Sequence, residues 1–241
     1  MRKLYTINKL LNPFGVELKK YNLNNNELLR RSNFFKEKKI DLIIDVGANV
    51  GSFGDEARKG GYRGKICSFE PIKVLYEKLE KKSSLDCNWE SFNFALGDNK
   101  RNTIINISKN LHSNSILGML DLHKNTQPTS SYINQENIEV EMLDNIFERI
   151  NRNNSNIYLK IDTQGYESFV LEGAKKSLSK INFIQLEMSL KPLYDGQLLF
   201  HDLYSMLIKE DYKLYNVERG FTNESNGELM QLDGIFVREE S

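Results

Sequence analysis

Four carboxylates in this chain stand where a predicted strand ends: Asp45, Glu70, Asp162 and Glu187. Asp45 opens the run Asp45-Val46-Gly47-Ala48-Asn49-Val50-Gly51, which joins an apolar strand to a helix. Glycines in such a turn allow positive φ and let a ligand approach the backbone closely. The amides of the helix that follows point at the same spot. Glu70 ends the next strand, 19 residues after Gly51, and a carboxylate so placed can accept both hydroxyls of an adenosine ribose. A dinucleotide site prefers G-x-G-x-x-G, because pyrophosphate touches the backbone at the second glycine. Asn49 holds that position here, and Asp45 would repel a pyrophosphate. The same carboxylate suits a ligand carrying an ammonium and a sulfonium. S-adenosylmethionine carries both, and it is the expected cofactor.

Asp162 ends the predicted strand 157–162, and Lys160, two residues earlier, falls on the same face. Gly165, Tyr166 and Glu167 open the helix after it, and Glu187 ends the following strand. Methyl transfer from a sulfonium is an in-line displacement on an activated donor. Much of its acceleration comes from holding the attacking oxygen about 3 Å from the methyl group. A hydroxyl acceptor must also lose its proton, for which a carboxylate within hydrogen-bond reach serves. Asp162 is the first candidate base and Glu187 the second. Lys160 would orient Asp162 or stabilise an alkoxide, although the pair also reads as a buried ion pair that fixes the turn. Glu167 reads as a first-turn residue favoured by the helix dipole. His112 and Asn114 stand in a Ser- and Asn-rich stretch that a loop would deliver to the acceptor, beside Gly165 and Tyr166. His123 and His201 have no metal-ligand spacing, so no metal site is expected.

These residues need a sheet to hold them. The pattern predicts a helix over 27–39, strand 40–45, helix 52–60, strand 65–70, a helix from Pro71 to about 82 and strand 89–96. Strand pieces at 103–108 and 138–142 flank a long polar segment. Then follow helix 143–150, strand 157–162, helix 166–179, strand 182–188, helix 198–210 and strands 212–217 and 229–238. Asparagine clusters at 24–26 and 151–156 read as solvated loops. Alternation of this kind implies an α/β fold, a mostly parallel sheet with helices on both faces. Residues 1–39 read as an N-terminal helical extension and 40–241 as the domain, with an insertion at about 101–142.

The 241 residues carry 33 basic and 33 acidic side chains, a formal charge of zero that argues against a nucleic-acid partner. Two cysteines, Cys67 and Cys87, cannot build a disulfide framework. No apolar run is long enough for a transmembrane segment, and a cytoplasmic protein is expected. The basic start, MRKLYTINKLL, is too short to decide on peripheral membrane association.

The runs DVGANVG (45–51), SFEP (68–71), ALGD (95–98) and LKIDTQGYESFVLEGA (159–174) resemble the FkbM family of class I methyltransferases. The similarity covers about residues 40–190, and Lys-x-Asp-x-x-Gly-x-Glu is its most specific part. The resemblance implies a Rossmann-like seven-stranded sheet with an antiparallel last strand, S-adenosylmethionine as donor and O-methylation, commonly of sugar or polyketide hydroxyls. It implies that Asp45, Gly47, Asn49 and Gly51 line the methionine end, that Glu70 takes the ribose and that Asp98 with the turn from Ala95 and Leu96 to Gly97 flanks the adenine, with Ala48 and Pro71 also among the cofactor-binding residues. A small molecule or glycan is the expected acceptor. A nicotinamide-dependent oxidoreductase and a non-catalytic scaffold on the same sheet are the rival readings.

Overall fold

The computed structural model describes residues 2–151 and 156–239, so most of the 151–156 loop expectation lies outside the described residues. Its centre is a seven-stranded sheet in the order β3-β2-β1-β7-β8-β10-β9. The strands are β1 Leu42–Val46, β2 Lys65–Phe69, β3 Trp89–Phe92, β7 Ile157–Ile161, β8 Phe183–Ser189, β9 Tyr212–Arg219 and β10 Gln231–Arg238. β10 runs antiparallel to both its neighbours, and the pairings among β1, β2, β3, β7 and β8 are parallel. This is the sheet the family resemblance implies.

Every residue of β1 and β7 is buried, because helices cover the sheet on both sides and the strands read as continuous apolar runs. On one face lie α2 (Glu27–Glu37), α3 (Ser52–Lys59) and α4 (Lys73–Ser83), which bury Phe34, Phe35, Phe53, Ala57 and Leu79 against Ile43, Ile66, Tyr158 and Phe183. On the other lie α6 (Leu143–Asn151), α7 (Glu167–Glu172) and α8 (Phe200–Lys209), which cover Ile44, Cys67, Leu159 and Leu186. Asn26 caps α2 by accepting from Leu29 N at 2.7 Å, and the helix packs on the main core.

Three elements differ from expectation. The predicted strand 89–96 divides: β3 stays in the main sheet, while Ala95–Leu96 (β4) joins a second, three-stranded sheet of order β4-β6-β5. Asn93 forces the break, since its amide donates to the carbonyls of Glu70 and Pro71 at 3.0 and 2.9 Å. The predicted helix 166–179 stops at Glu172. A Cβ on Gly173 would sit 1.9 Å from the Gly97 carbonyl oxygen, and Asp144 accepts from the amides of Lys176 and Ser177, capping a different turn. The insertion is more ordered than its composition implies. β5 (Arg101–Ser108) and β6 (Tyr132–Glu141) pair antiparallel, with the short helix α5 (Asp121–Thr126) between them. α1 (Arg2–Leu11) precedes the covered helices.

Candidate active site

The C-terminal ends of β1, β2, β7 and β8 open into a cavity of about 300 Å³, walled on its far side by the second sheet and the insertion. Of the residues expected at a site, Gly47, Asn49, Glu70, Pro71, Ala95, Leu96, His112, Asn114, Asp162, Tyr166 and Glu187 all line it.

The turn after β1 is built for close approach. Gly47 has φ +77°, and a Cβ there would lie 1.9 Å from the carbonyl oxygen of Asp162. Asn49 is left-handed too, at φ +51°, which asparagine tolerates better than most residues. Its amide donates to Glu70 Oε2 at 2.9 Å, while Ile72 N donates to Oε1 at 2.8 Å. Glu70 is thus fixed at both oxygens, with lone pairs left over toward the cavity. Burial raises its pKa to about 7 against the pull of those two amides. Phe69, Ile72, Ala95, Leu96, Ile105 and Ile116 make the apolar wall beside it.

Six expected residues sit elsewhere. Asp45 is completely buried behind the turn, where Lys160 Nζ lies 3.3 Å from Oδ1 and Ser68 Oγ donates to Oδ2 at 3.3 Å. Lys160 is therefore committed to the sheet interior, bridging Asp45 to Asp162 Oδ2 at 3.4 Å. Burial alone would lower its pKa, but Asp45, Asp162 and Asp233 outweigh that and raise it, so it stays a cation. Ala48 belongs to the core under α3. Gly51 is left-handed, at φ +81°, and Leu79 and the Trp89 ring leave a side chain there no room. Gly165, at φ +94°, lies flush against the Tyr194 ring. Asp98 accepts from Arg101 at 2.7 Å and from the Tyr166 hydroxyl at 3.3 Å, behind the ring of Tyr166.

On the opposite side of the cavity stand Asp162 and Glu187, joined by a residue the sequence did not single out. Gln164 Nε2 donates to Asp162 Oδ1 at 3.0 Å and to Glu187 Oε2 at 2.8 Å. The Tyr194 hydroxyl donates to Gln164 Oε1 at 2.7 Å, which fixes the amide's orientation. Gln231 Nε2 adds a second bond to Glu187 Oε2 at 2.9 Å, so Oε1 is the oxygen left for a ligand. Burial raises the Glu187 pKa well above the usual range, and Asp162, Glu167 and Asp233 push it the same way. Glu167 itself ties the turn, accepting from Thr163 N, Thr163 Oγ1 and Gly165 N.

The insertion is stitched to both halves. Asn49 Nδ2 donates to the Leu111 carbonyl at 2.6 Å, and Ser115 Oγ donates to the Gln164 carbonyl at 2.7 Å. Asn114 spends its side chain on Ser108 and Leu111. His112 contributes to the lining beside it. His123 is buried against Tyr194 and Phe221, and burial lowers its pKa to about 4, so it is neutral packing. His201 is exposed on α8.

Gln164, Thr163, Ile105 and Ile116 line the cavity, and Tyr194 and Gln231 support it, yet sequence reasoning missed all six. Thr163 and Gln164 alone had a local signal, since both sit in the strand-end turn that follows Asp162. Chemically, the cavity offers a buried carboxylate beside an apolar wall on one side and an amide-clamped pair of acids on the other.

Residues 45–214 match the family model described as the methyltransferase FkbM domain. No curated protein sequence matches the chain. Solved structures similar to it include magnesium protoporphyrin IX methyltransferase from Synechocystis PCC 6803 with bound S-adenosylmethionine, at 9% identity and TM-score 0.48, covering 98% of this chain and 96% of that one. An uncharacterized protein from Listeria monocytogenes serotype 4b gives 8% identity and TM-score 0.49, over 90% and 69%. The ribosomal protein L11 methylase of Lactobacillus delbrueckii subsp. bulgaricus gives 9% and 0.45, over 92% and 82%.

Proposed function

The chain belongs to the FkbM methyltransferase family, and on that premise we propose that it methylates a hydroxyl of a sugar, glycan or related metabolite with S-adenosylmethionine as donor. One observation carries the reading: a buried carboxylate fixed at both oxygens, Glu70, and a clamped acid pair, Asp162 and Glu187, border the same cavity. The residues present fit the donor. Glu70 has acceptor capacity for a ribose, Ile72, Ala95 and Leu96 offer an apolar plate for adenine, and the acid side suits a cationic methionine end. Asp45 supports that end from behind, through Lys160, rather than touching it.

The bound donor supplies an electrophilic methyl group, which leaves the protein to position and deprotonate the acceptor. Glu187 Oε1 takes the hydroxyl proton in this reading, while Gln164 and Gln231 hold the other oxygen. Asp162 stands within the same clamp and is the second candidate. Lys160 keeps Asp162 oriented from below. His112, Asn114 and Tyr166 border the space an acceptor would fill. A cytoplasmic location without a nucleic-acid partner belongs to the same reading, resting on a sequence with only two cysteines and zero formal charge.

Calorimetry with S-adenosylmethionine, S-adenosylhomocysteine and NAD, then label transfer from methyl-labelled donor to a panel of glycans, tests it. Binding of the two adenosyl ligands, lost in Glu70→Ala, and an O-methylated product are expected. Unchanged donor affinity in Glu70→Ala would remove Glu70 from the site, and a methylated nitrogen would overturn the hydroxyl acceptor.

A further inference from the structure

The first 23 residues concentrate two properties. Among the described residues, eight of the 18 large apolar residues left exposed lie between Tyr5 and Leu23. Residues 1–20 hold five basic side chains against one acidic, although the whole chain is formally neutral. These features share one small folded unit. α1 runs to Leu11, a 3-10 turn follows over Asn12–Phe14, and Gly15 at φ +70° reverses the chain. Asn8 then grips the returning segment, donating to the Leu18 carbonyl at 2.9 Å and accepting from Leu18 N at 2.8 Å.

The grip settles which side stays open. Leu4, Ile7, Leu10 and Leu11 recur at helical spacing and share one face of α1, and the 3-10 turn is the element α1 chiefly packs against. Leu10 is 69% exposed and Phe14, in the turn, 80%. Lys9 lies on the polar face of α1, opposite the stripe, and Lys19 and Lys20 follow the return. A short helix with one apolar stripe and a polar opposite face that carries a basic residue lies in a lipid interface rather than across it. Tyr5 and Tyr21, 75% and 74% exposed, are the amphipathic rings that such an interface accepts. Among the described residues no helix is long and apolar enough to cross a membrane.

We propose that residues 2–20 dock the protein on an anionic lipid surface, with the Leu10 and Phe14 side chains entering the acyl boundary, Lys19 and Lys20 meeting headgroups and Lys9 adding to the positive charge of the unit. The charge chooses this occupant. A second copy of the same unit would set like charges against each other, whereas acidic headgroups complement the basic excess. The inference stands apart from the acceptor reading, since none of these residues lines the cavity.

Flotation of the full chain with vesicles of phosphatidylcholine, alone or mixed with phosphatidylserine, tests it. Wild type is expected to float with the mixed vesicles at low salt, to release at high salt, and to stay behind with phosphatidylcholine alone. Leu10→Glu with Phe14→Glu removes the apolar contact, and Lys9→Glu with Lys19→Glu and Lys20→Glu reverses the charge. Each set should lower the bound-to-free ratio by more than about tenfold, with donor affinity unchanged as evidence of an intact domain. Absence of wild-type binding would overturn the proposal, as would binding that survives both sets. A dimer in light scattering that Leu10→Glu with Phe14→Glu makes monomeric would also overturn it, by showing a second copy on that face.

Discussion

Asp233 stands directly across from Glu187 in the antiparallel pairing of β10 with β8. Their side chains share a face of the sheet, and like charges in that position oppose each other. Burial, then Asp162, raises the Asp233 pKa to about 6, and Asp233 in turn is one of the groups that raise Glu187. If Glu187 is the base, turnover climbs with pH along a limb displaced upward from the ordinary carboxylate range. Asp233→Asn removes a like charge and moves that limb to lower pH. A kcat profile of both enzymes measures it, and an unmoved limb would assign the proton to another group.

Glu70 and Glu167 titrate near 7 and Asp233 near 6 because of burial. All three exceed the unfolded carboxylate value, so between about pH 4.5 and 7 the folded chain binds more protons than the unfolded one. The sign follows: stability is greatest below that window and falls as pH rises through it, each group contributing up to about 1.4 kcal/mol per unit within its own range. Urea midpoints at pH 5 and pH 8 check this. Ribose hydroxyls donating to Glu70 would favour its charged form, so donor affinity should rise with pH toward 8, accompanied by proton release. Equal affinities at pH 6 and 8 would count against Glu70 as the ribose acceptor.

Gln164→Asn withdraws the amide by one methylene while keeping a side chain that tolerates the φ of +54° at this residue. Misplacing the acids should lower kcat about 10- to 100-fold with little change in donor affinity. A variant with full turnover would show that the clamp is ornamental.

Lys160→Met leaves Asp45 buried and without its cation. Breaking a buried pair from one side costs about 3–5 kcal/mol. The double change Lys160→Met with Asp45→Asn should recover much of that loss, since no bare charge remains. Paired denaturation curves give the coupling, and additive losses would mean that the two residues act independently.

Gly47→Ala and Gly61→Ala make a controlled comparison. Both glycines have positive φ, at +77° and +94°, but only Gly47 would drive its Cβ into backbone. Strain alone at Gly61 should cost about 1 kcal/mol. The loss at Gly47 should be severalfold larger and should take the cavity with it, as thermal melts and donor titrations of the two would reveal.

The donor half of the site was legible because its parts lie close in sequence. Gly47 and Asn49 follow β1 and Glu70 follows β2, and alternation alone brings them to one edge. The depth of each side chain was not legible. Asp45 and Asp162 are both strand-end acids, yet Asp45 is buried by Lys160 and Ser68 while Asp162 reaches the cavity. The supports of the acid side come from distant segments, Tyr194 after β8 and Gln231 in β10, and no local spacing links them to Gln164. The strand break at Asn93 was hidden for a similar reason, since its cause is a pair of carbonyls 22 and 23 residues earlier.

Residues 111–115 bond to the donor turn through Asn49 and to the acid turn through Gln164. Lineages that diversify acceptor range by rewriting this loop would not be free to tune one substrate at a time. A change in the loop that admits a new acceptor should carry a shift in donor KM with it, and compensating substitutions should then gather at the positions of Asn49 and Ser115.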